Sequence, residues 1–408
     1  MKKYILFIVL SSFTFGQISE YTFSELFLEN SIGKNNLNGI GNIGFDSYDQ
    51  FYNPNKNGKD SSTLEISLSG NYVLSSKVKL DYNSGPELFR NTHSLTPNLS
   101  IKYNYNNFSF FLQYYNSLMY NNESTAGSWS FTRHTFTGDR SFSITGPKFC
   151  MSNQVLQGVA SAILINGLSF SIGVSTNIYK NAEDFNSNFI SELSTEIFDN
   201  IQYLVSLNYK SDKINSYFLY RTQSDPQQFG KNDVIKISDD FQFYNNSIVS
   251  FPGSIGYGIQ VAPINGLKLS VEMEHEFLNT TYDYKYKKMP YESWDWSDKF
   301  SYNIFNNKIV LGINYQTPFC LVAGLAYSKY LKYDVNINQG HNYFPLLPQI
   351  DVPEYILFGF GYDFSIFYAQ LDYQHSFTSY KNNYDGYGAR KFYYNMIKVG
   401  LNYRLIGL

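Results

Sequence analysis

The stretch Ile397-Lys398-Val399-Gly400-Leu401-Asn402-Tyr403-Arg404-Leu405 decides the fold. Its odd positions are Ile, Val, Leu, Tyr and Leu, and its even positions are Lys, Gly, Asn and Arg. A period of two is a β-strand with one oily and one wet face. The same alternation recurs upstream. Leu267, Leu269, Val271, Met273 and Phe277 oppose Lys268, Ser270, Glu272, Glu274 and Glu276, and 168–174, 201–209, 255–261 and 309–315 follow suit. Tyr105, Tyr209, Tyr315 and Tyr403 close their strands on the oily side, as interfacial aromatics do in membrane barrels.

The breaks between strands alternate in length. Short ones fall at Asn106–Asn107, Asn166–Gly167, Ser211–Asp212, Ala262–Gly266, Gln316–Pro318 and Asp363–Ser365. Long polar ones are read at Ser75–Pro97, Leu118–Gly158, Ile178–Asn200, Gln223–Pro252, Asn279–Asn306, Leu331–Pro353 and Thr378–Lys391. Tight turns on one side of a membrane and long loops on the other predict an all-β, transmembrane, up-and-down antiparallel β-barrel of about fourteen strands. An even number leaves both chain ends on the turn side. A soluble sandwich or propeller is the competing architecture, but it would bury its oily faces against one another.

Composition agrees. Of 408 residues, 19% are aromatic and only 16% charged, whereas soluble domains carry roughly a quarter charged. Beyond the first residues there is no apolar run near the roughly 20 residues a membrane helix needs. The net charge of -3 and the lack of a basic stripe give nucleic acid no footing as a partner. Cys150 and Cys320 stand alone, are not expected to pair, and with the scattered histidines offer no zinc spacing. No cofactor or metal is expected.

Three segments follow. Residues 1–16 read as a signal peptide, with Lys2 and Lys3 before an apolar run that ends at Leu10. Residues 17–62 are dense in Gly and Asn and precede the first strand on the turn side, where they either dangle as a tail or, the reading favoured for a barrel of this size, fold back as a plug that fills the lumen. Residues 63–408 form the barrel, an outer-membrane protein of Gram-negative type that contacts lipid as a monomer.

At this point the chain resembles the FadL-type outer-membrane transporters of long-chain fatty acids and other hydrophobic compounds. The resemblance rests on a Gly-rich segment with Gly39, Gly41 and Gly44, running to Phe51-Tyr52-Asn53-Pro54. It also rests on Gly167-Leu168-Ser169-Phe170-Ser171-Ile172-Gly173, and on Phe251-Pro252-Gly253-Ser254-Ile255-Gly256-Tyr257-Gly258 leading into Leu267–Val271. It implies a plug, or hatch, built on Gly39, Gly41, Gly44, Asn53 and Pro54. Asn55 stands where the family's hatch usually has Ala. It also implies a third strand kinked to open the wall toward lipid, yet 107–117 contains no Gly or Pro.

Function is sought in residues that break the polar-inside rule. Phe111 and Tyr115 in the third strand, Leu204 in the sixth, Tyr217 and Leu219 in the seventh and Val310 in the tenth are apolar in the inward phase. An apolar patch with few polar anchors suits a hydrophobic ligand path; packing against the plug accounts for it equally. Glu272, Glu274 and Glu276 fall on the lumen side, with His275 opposite, and Lys398 and Arg404 are further lumen charges. These carboxylates are expected to pair with cations of neighbouring strands. No Gly-x-Ser-x-Gly elbow is present, and the chain is not read as an enzyme. Aromatics in the long breaks, Trp129, Phe131, Phe136 and Phe142 in one and Tyr282, Tyr284, Tyr286, Tyr291, Trp294 and Trp296 in another, offer either a capture surface or loop packing. The expected activity is passive, porin-like uptake of a hydrophobic small molecule. The rival is a barrel that serves as scaffold for a surface or secreted protein.

Overall fold

A computed structural model describes residues 62–80, 89–91, 95–124, 129–135, 138–144, 148–165, 167–184, 193–225, 227–228, 234–238, 241–244, 248–249, 252–285, 297–339, 349–350, 354–364, 367–381 and 390–406. The signal segment and the plug residues Gly39, Gly41, Gly44, Asn53 and Pro54 lie outside them.

The wall consists of β1 (Thr63–Leu80), β2 (Leu95–Tyr105), β3 (Phe108–Ser124), β4 (Lys148–Ile165), β5 (Leu168–Asp184), β6 (Leu193–Lys210) and β7 (Ile214–Arg221). It continues through β8 (Gly253–Ile264), β9 (Leu267–Lys285), β10 (Ser297–Gln316), β11 (Leu321–Gln339), β12 (Glu354–Asp363), β13 (Phe367–Lys381) and β14 (Arg390–Ile406). Each strand pairs antiparallel with the next, and β14 pairs with both β13 and β1, so the sheet is a closed barrel of 14 strands. Thr63 lies opposite Ile406, which puts both ends of the wall on the tight-turn side.

Alternation sorts the side chains as the sequence requires. Leu68, Ile101, Phe110, Ile172, Leu207, Ile259, Leu311, Phe360 and Leu401 are exposed on the outside. Inward neighbours such as Ser67, Gln113, Ser171, Ser206, Ser270 and Asn314 are buried. A soluble protein would not leave such a belt to water. Tyr105, Tyr209, Tyr315 and Tyr403 are all exposed at the turn-side rim of the belt.

Tight turns hold the strands in register. Gly167 has φ 81° and Gly266 φ 83°, in the left-handed region that glycine reaches without steric cost. A Cβ on Gly266 would lie 2.3 Å from the Gln316 carbonyl oxygen, and one on Gly167 2.5 Å from that of Lys210. Both glycines receive a neighbouring strand end closely: Gln316 N–H donates to Gly266 O, and Lys210 N–H to Gly167 O.

The long breaks need correction. Much of what reads as loop is strand: β4 begins at Lys148, β5 runs to Asp184, β9 to Lys285 and β11 to Gln339. Oily alternation fades once a strand leaves lipid, but ladder hydrogen bonds continue without it. Roughly 9–11 residues suffice to span a bilayer, and β10 has 20. Inside the remaining breaks, Trp129–Thr135 pairs with Gly138–Ile144, and Val234–Ser238 with Phe241–Tyr244. The third strand also carries an irregularity that needs neither Gly nor Pro: the β3–β4 register shifts between Asn116 and Leu118. A bulge bends the strand by inserting one residue.

Gly266→Val is expected to destabilise the barrel by about 1–3 kcal/mol through the forced positive φ, with the clash against Gln316 adding to it. Urea unfolding in lipid vesicles reads this. Wild-type stability would show that the β8–β9 turn does not set the register.

Candidate functional site in the lumen

The site is built by cross-strand register. Lys102 on β2 faces Phe111 on β3, Phe111 faces Val159 on β4, Val159 faces Gly173 on β5, Gly173 faces Leu204 on β6, and Leu204 faces Arg221 on β7. This inward row is apolar at its centre and cationic at both ends. Phe111, Val155, Val159, Leu204 and Leu219 form one buried cluster, with Tyr217 against it. Leu204 is only 2% exposed. Six residues separate it from Lys210 at the end of β6, so the cluster lies roughly 15 Å above the turns for a strand tilted about 40°.

Gly173 shapes the row. A Cβ there would meet Val159 Cγ2 at 2.9 Å and Leu204 Cδ2 at 3.4 Å. The two branched side chains therefore close over bare backbone, and a larger residue would push them apart.

On β8, Gly256 and Gly258 leave the wall equally bare. Tyr217 faces Gly258, which faces Glu272 on β9. With no side chain between them, the Tyr217 hydroxyl reaches across β8 and donates to Glu272 Oε2 at 2.5 Å. Tyr217 is thus the polar hinge between the apolar cluster and an acidic wall.

That wall is the Glu272, Glu274, Glu276 row. Glu274 faces Lys308 on β10, whose Nζ donates to Glu274 Oε2 at 2.9 Å, both side chains being sheltered. Glu276 Oε2 accepts from Asn306 Nδ2 at 3.4 Å and lies 3.5 Å from the Tyr330 hydroxyl. Val310 is buried in register with Glu272, on this charged side and apart from the apolar cluster. Among the described residues no group of His, Cys, Asp and Glu could hold a metal ion. His275 is turned outward, its Nδ1–H donating to Asn307 Oδ1 at 2.5 Å and its Nε2 lying 3.2 Å from Tyr257 Oη. Cys320 is a free thiol in the β10–β11 turn.

Of the residues singled out in the sequence, the structure brings Phe111, Leu204, Leu219 and Tyr217 together, and Tyr217 with Glu272. The side chains of Tyr115, Lys398 and Arg404 lie outside the described set, although their backbones sit on β3 and β14. Sequence reasoning missed Val155, which fell inside the stretch 118–158 read as loop, and Val159, which stood at its edge. It also missed Gly173, whose role needs the neighbours' side chains.

Lys308→Met is expected to cost about 3 kcal/mol by leaving the sheltered Glu274 carboxylate without its cation. Adding Glu274→Gln should recover a large part of that loss, read in a double-mutant cycle of unfolding in vesicles. An additive double mutant would show that the pair is not coupled.

Neither a known family profile nor a curated protein matches the sequence. Solved structures do resemble the fold. A FadL homologue of Pseudomonas aeruginosa superposes with TM-score 0.55 at 12% identity, over 84% of this chain and 90% of that one. The Pseudomonas putida toluene transporter TodX gives 0.51 at 12% identity over 87% and 94%. A TodX deletion mutant, described as a monoaromatic hydrocarbon channel, gives 0.55 at 12% over 85% and 90%. At such identity the likeness is one of fold. The superpositions cover nearly all of both chains, and the chain therefore has the barrel fold of FadL-type transporters.

Proposed function

We propose that this chain is an outer-membrane channel for passive uptake of hydrophobic, fatty-acid-like small molecules, working as a monomer with residues 17–62 as its plug. The observation that carries the reading is the buried apolar cluster of Phe111, Val155, Val159, Leu204 and Leu219 on the inward face of a lipid-exposed barrel. A water-filled porin lines its lumen with polar residues and gains nothing from such a patch. Small molecules of low polarity are held by apolar walls with a few polar anchors, and Lys102, Arg221 and Tyr217 border this wall. The solved structures of like fold include proteins described as a toluene transporter and a monoaromatic hydrocarbon channel, which supports a hydrophobic cargo.

In this reading Phe111, Leu204, Tyr217, Leu219 and, from its backbone position, Tyr115 line the path, with Val310 on the facing wall. Aromatics beyond the membrane capture the cargo. The plug, built on Gly39, Gly41, Gly44, Asn53 and Pro54, moves to let it pass.

Leu204→Asp replaces an apolar side chain of the cluster by a carboxylate, in register with Arg221. It is expected to lower uptake of radiolabelled dodecanol by cells at least roughly tenfold, since losing one buried leucine contact costs about 1.5–3 kcal/mol. The heat-modified gel shift of the folded barrel should persist. Mass spectrometry of organic extract from the purified barrel should find an apolar compound in the wild type and less in the variant. Equal uptake and equal extracts in both would sink the proposal.

A further inference from the structure

On β11 the even positions face the lumen: Val322, Ala326, Ser328 and Tyr330 are all buried. Strict alternation would therefore put Lys332 inside as well. The register with β10 shifts just there, with Lys308 opposite Tyr330 and Asn307 opposite Lys332, so that Leu331 is an extra residue. A bulge of this kind reverses the face taken by the residues after it. Leu331 and Lys332 are both exposed, and Lys332 Nζ stands 4.9 Å from the centroid of the outward Phe305 ring. One inserted residue thus moves a lysine from the lumen side to the lipid side.

The lysine belongs to an outward row of polar groups. His275 on β9 faces Asn307 on β10, which faces Lys332. Because the Asn307 oxygen accepts from His275 Nδ1–H, the Asn307 NH2 is kept as a donor next to the lysine. The Phe305 ring holds the ammonium in place through its negative face. Phe305 is also two residues farther from the turns than Asn307, so the lysine reaches up along the wall, as snorkelling side chains do. One row lower, Lys329 is ion-paired with Glu354 on β12.

Height gives this row a role. Asn307 lies nine residues above Gln316, where β10 ends, which is roughly 23 Å for a strand tilted about 40°. The apolar band of such barrels is about 25 Å tall, so the row stands at its upper edge, where hydrocarbon gives way to headgroups. Lower on the same two strands, Leu311, Ile313, Leu325 and Leu321 are exposed and form an oily lane. A molecule that meets both levels has hydrocarbon chains below and a polar head above. At the head it finds an ammonium and an amide NH2, donors that suit a phosphate.

We propose that the outer face of β10 and β11 is a docking site for one phosphorylated lipid of the outer leaflet. Its phosphate accepts from Lys332 Nζ and the Asn307 NH2, and its acyl chains lie on Leu311, Ile313 and Leu325. A soluble phosphate ester has no use for the lane below, whereas a lipid fills both levels at once. Glu354 works against the site, because it holds the second ammonium, that of Lys329, away from the phosphate. The site is on the opposite face of the wall from the lumen, so it stands independently of what the channel carries.

The test uses the full chain, purified in dodecyl maltoside and incubated with bisphosphorylated lipid A, with retained lipid counted by native mass spectrometry. Lys332→Met should retain roughly tenfold less than the wild type, the loss expected for one hydrogen bond to a charged group. Lys332→Arg should retain the lipid, and so should Lys213→Met, which alters an exposed lysine in the β6–β7 turn. Glu354→Gln, which releases Lys329, should retain more than the wild type. Lipid A stripped of its phosphates should bind the wild type as weakly as lipid A binds Lys332→Met. Equal retention by the wild type and Lys332→Met, or of the two lipids by the wild type, overturns the site. Displacement of lipid A by millimolar inorganic phosphate overturns it as well, since the ligand would then be a free anion.

Discussion

Hydrocarbon cannot hydrogen-bond a peptide group, and the rest of this structure depends on that constraint. Each backbone N–H and C=O within the bilayer must find a partner in the protein, and a sheet achieves this only by closing. The pairing of β14 with β1 is where that closure happens, in one ladder from Thr63–Ile406 to Leu80–Arg390 with a single shift near Val73. Closure fixes the period-two division of side chains. Lipid takes Leu, Ile, Val and Phe, and the lumen takes Ser, Asn and Gln. The shortage of charge and the excess of aromatics are consequences of that division, not signs of function.

Function begins where the inward face departs from its default. Two departures lie side by side. On β3 to β7 the inward row turns apolar, and on β9 and β10 it turns acidic, with Lys308 opposite Glu274. The inward glycines join them. Gly173 lets Val159 and Leu204 meet, and Gly258 stands in register between Tyr217 and Glu272, whose side chains hydrogen-bond across it. A side chain at Gly173 would press on both Val159 and Leu204. The lumen is therefore two-sided, and Tyr217 belongs to both sides at once, its ring against the cluster and its hydroxyl on a carboxylate.

The fold was legible because lipid imposes a strong pattern. Alternation in Ile397–Leu405 and Leu267–Phe277, together with turns such as Asn166–Gly167 and Asn265–Gly266, was enough to place all fourteen wall strands. Strand lengths were not legible, since above the bilayer the ladder of β9 continues through Tyr282 and Tyr284 without an oily face to announce it. Val155 escaped notice because 118–158 read as loop, and Val159 stood at the edge of that stretch. Leu204, Leu219 and Phe111 could be found because an apolar residue in a wet phase is conspicuous. That they converge on one another is a matter of register, which a single strand's sequence does not contain. The shift at Ser117 in β3 is likewise invisible, as a serine carries no mark of a bulge.

The ends of the lumen differ in a way that bears on any route through it. Near the tight turns the inward residues are small and polar, and they are buried: Ser171 and Ser206 are fully enclosed, and Asn208 and Ser109 nearly so. An open aqueous pore would wet these side chains. Straight passage toward the turn side would bring an apolar molecule past Ser, Asn and Gln, exchanging apolar contact for polar groups that hydrogen-bond to one another, as Asn104 does to Thr63 and Asn215 to Gln260.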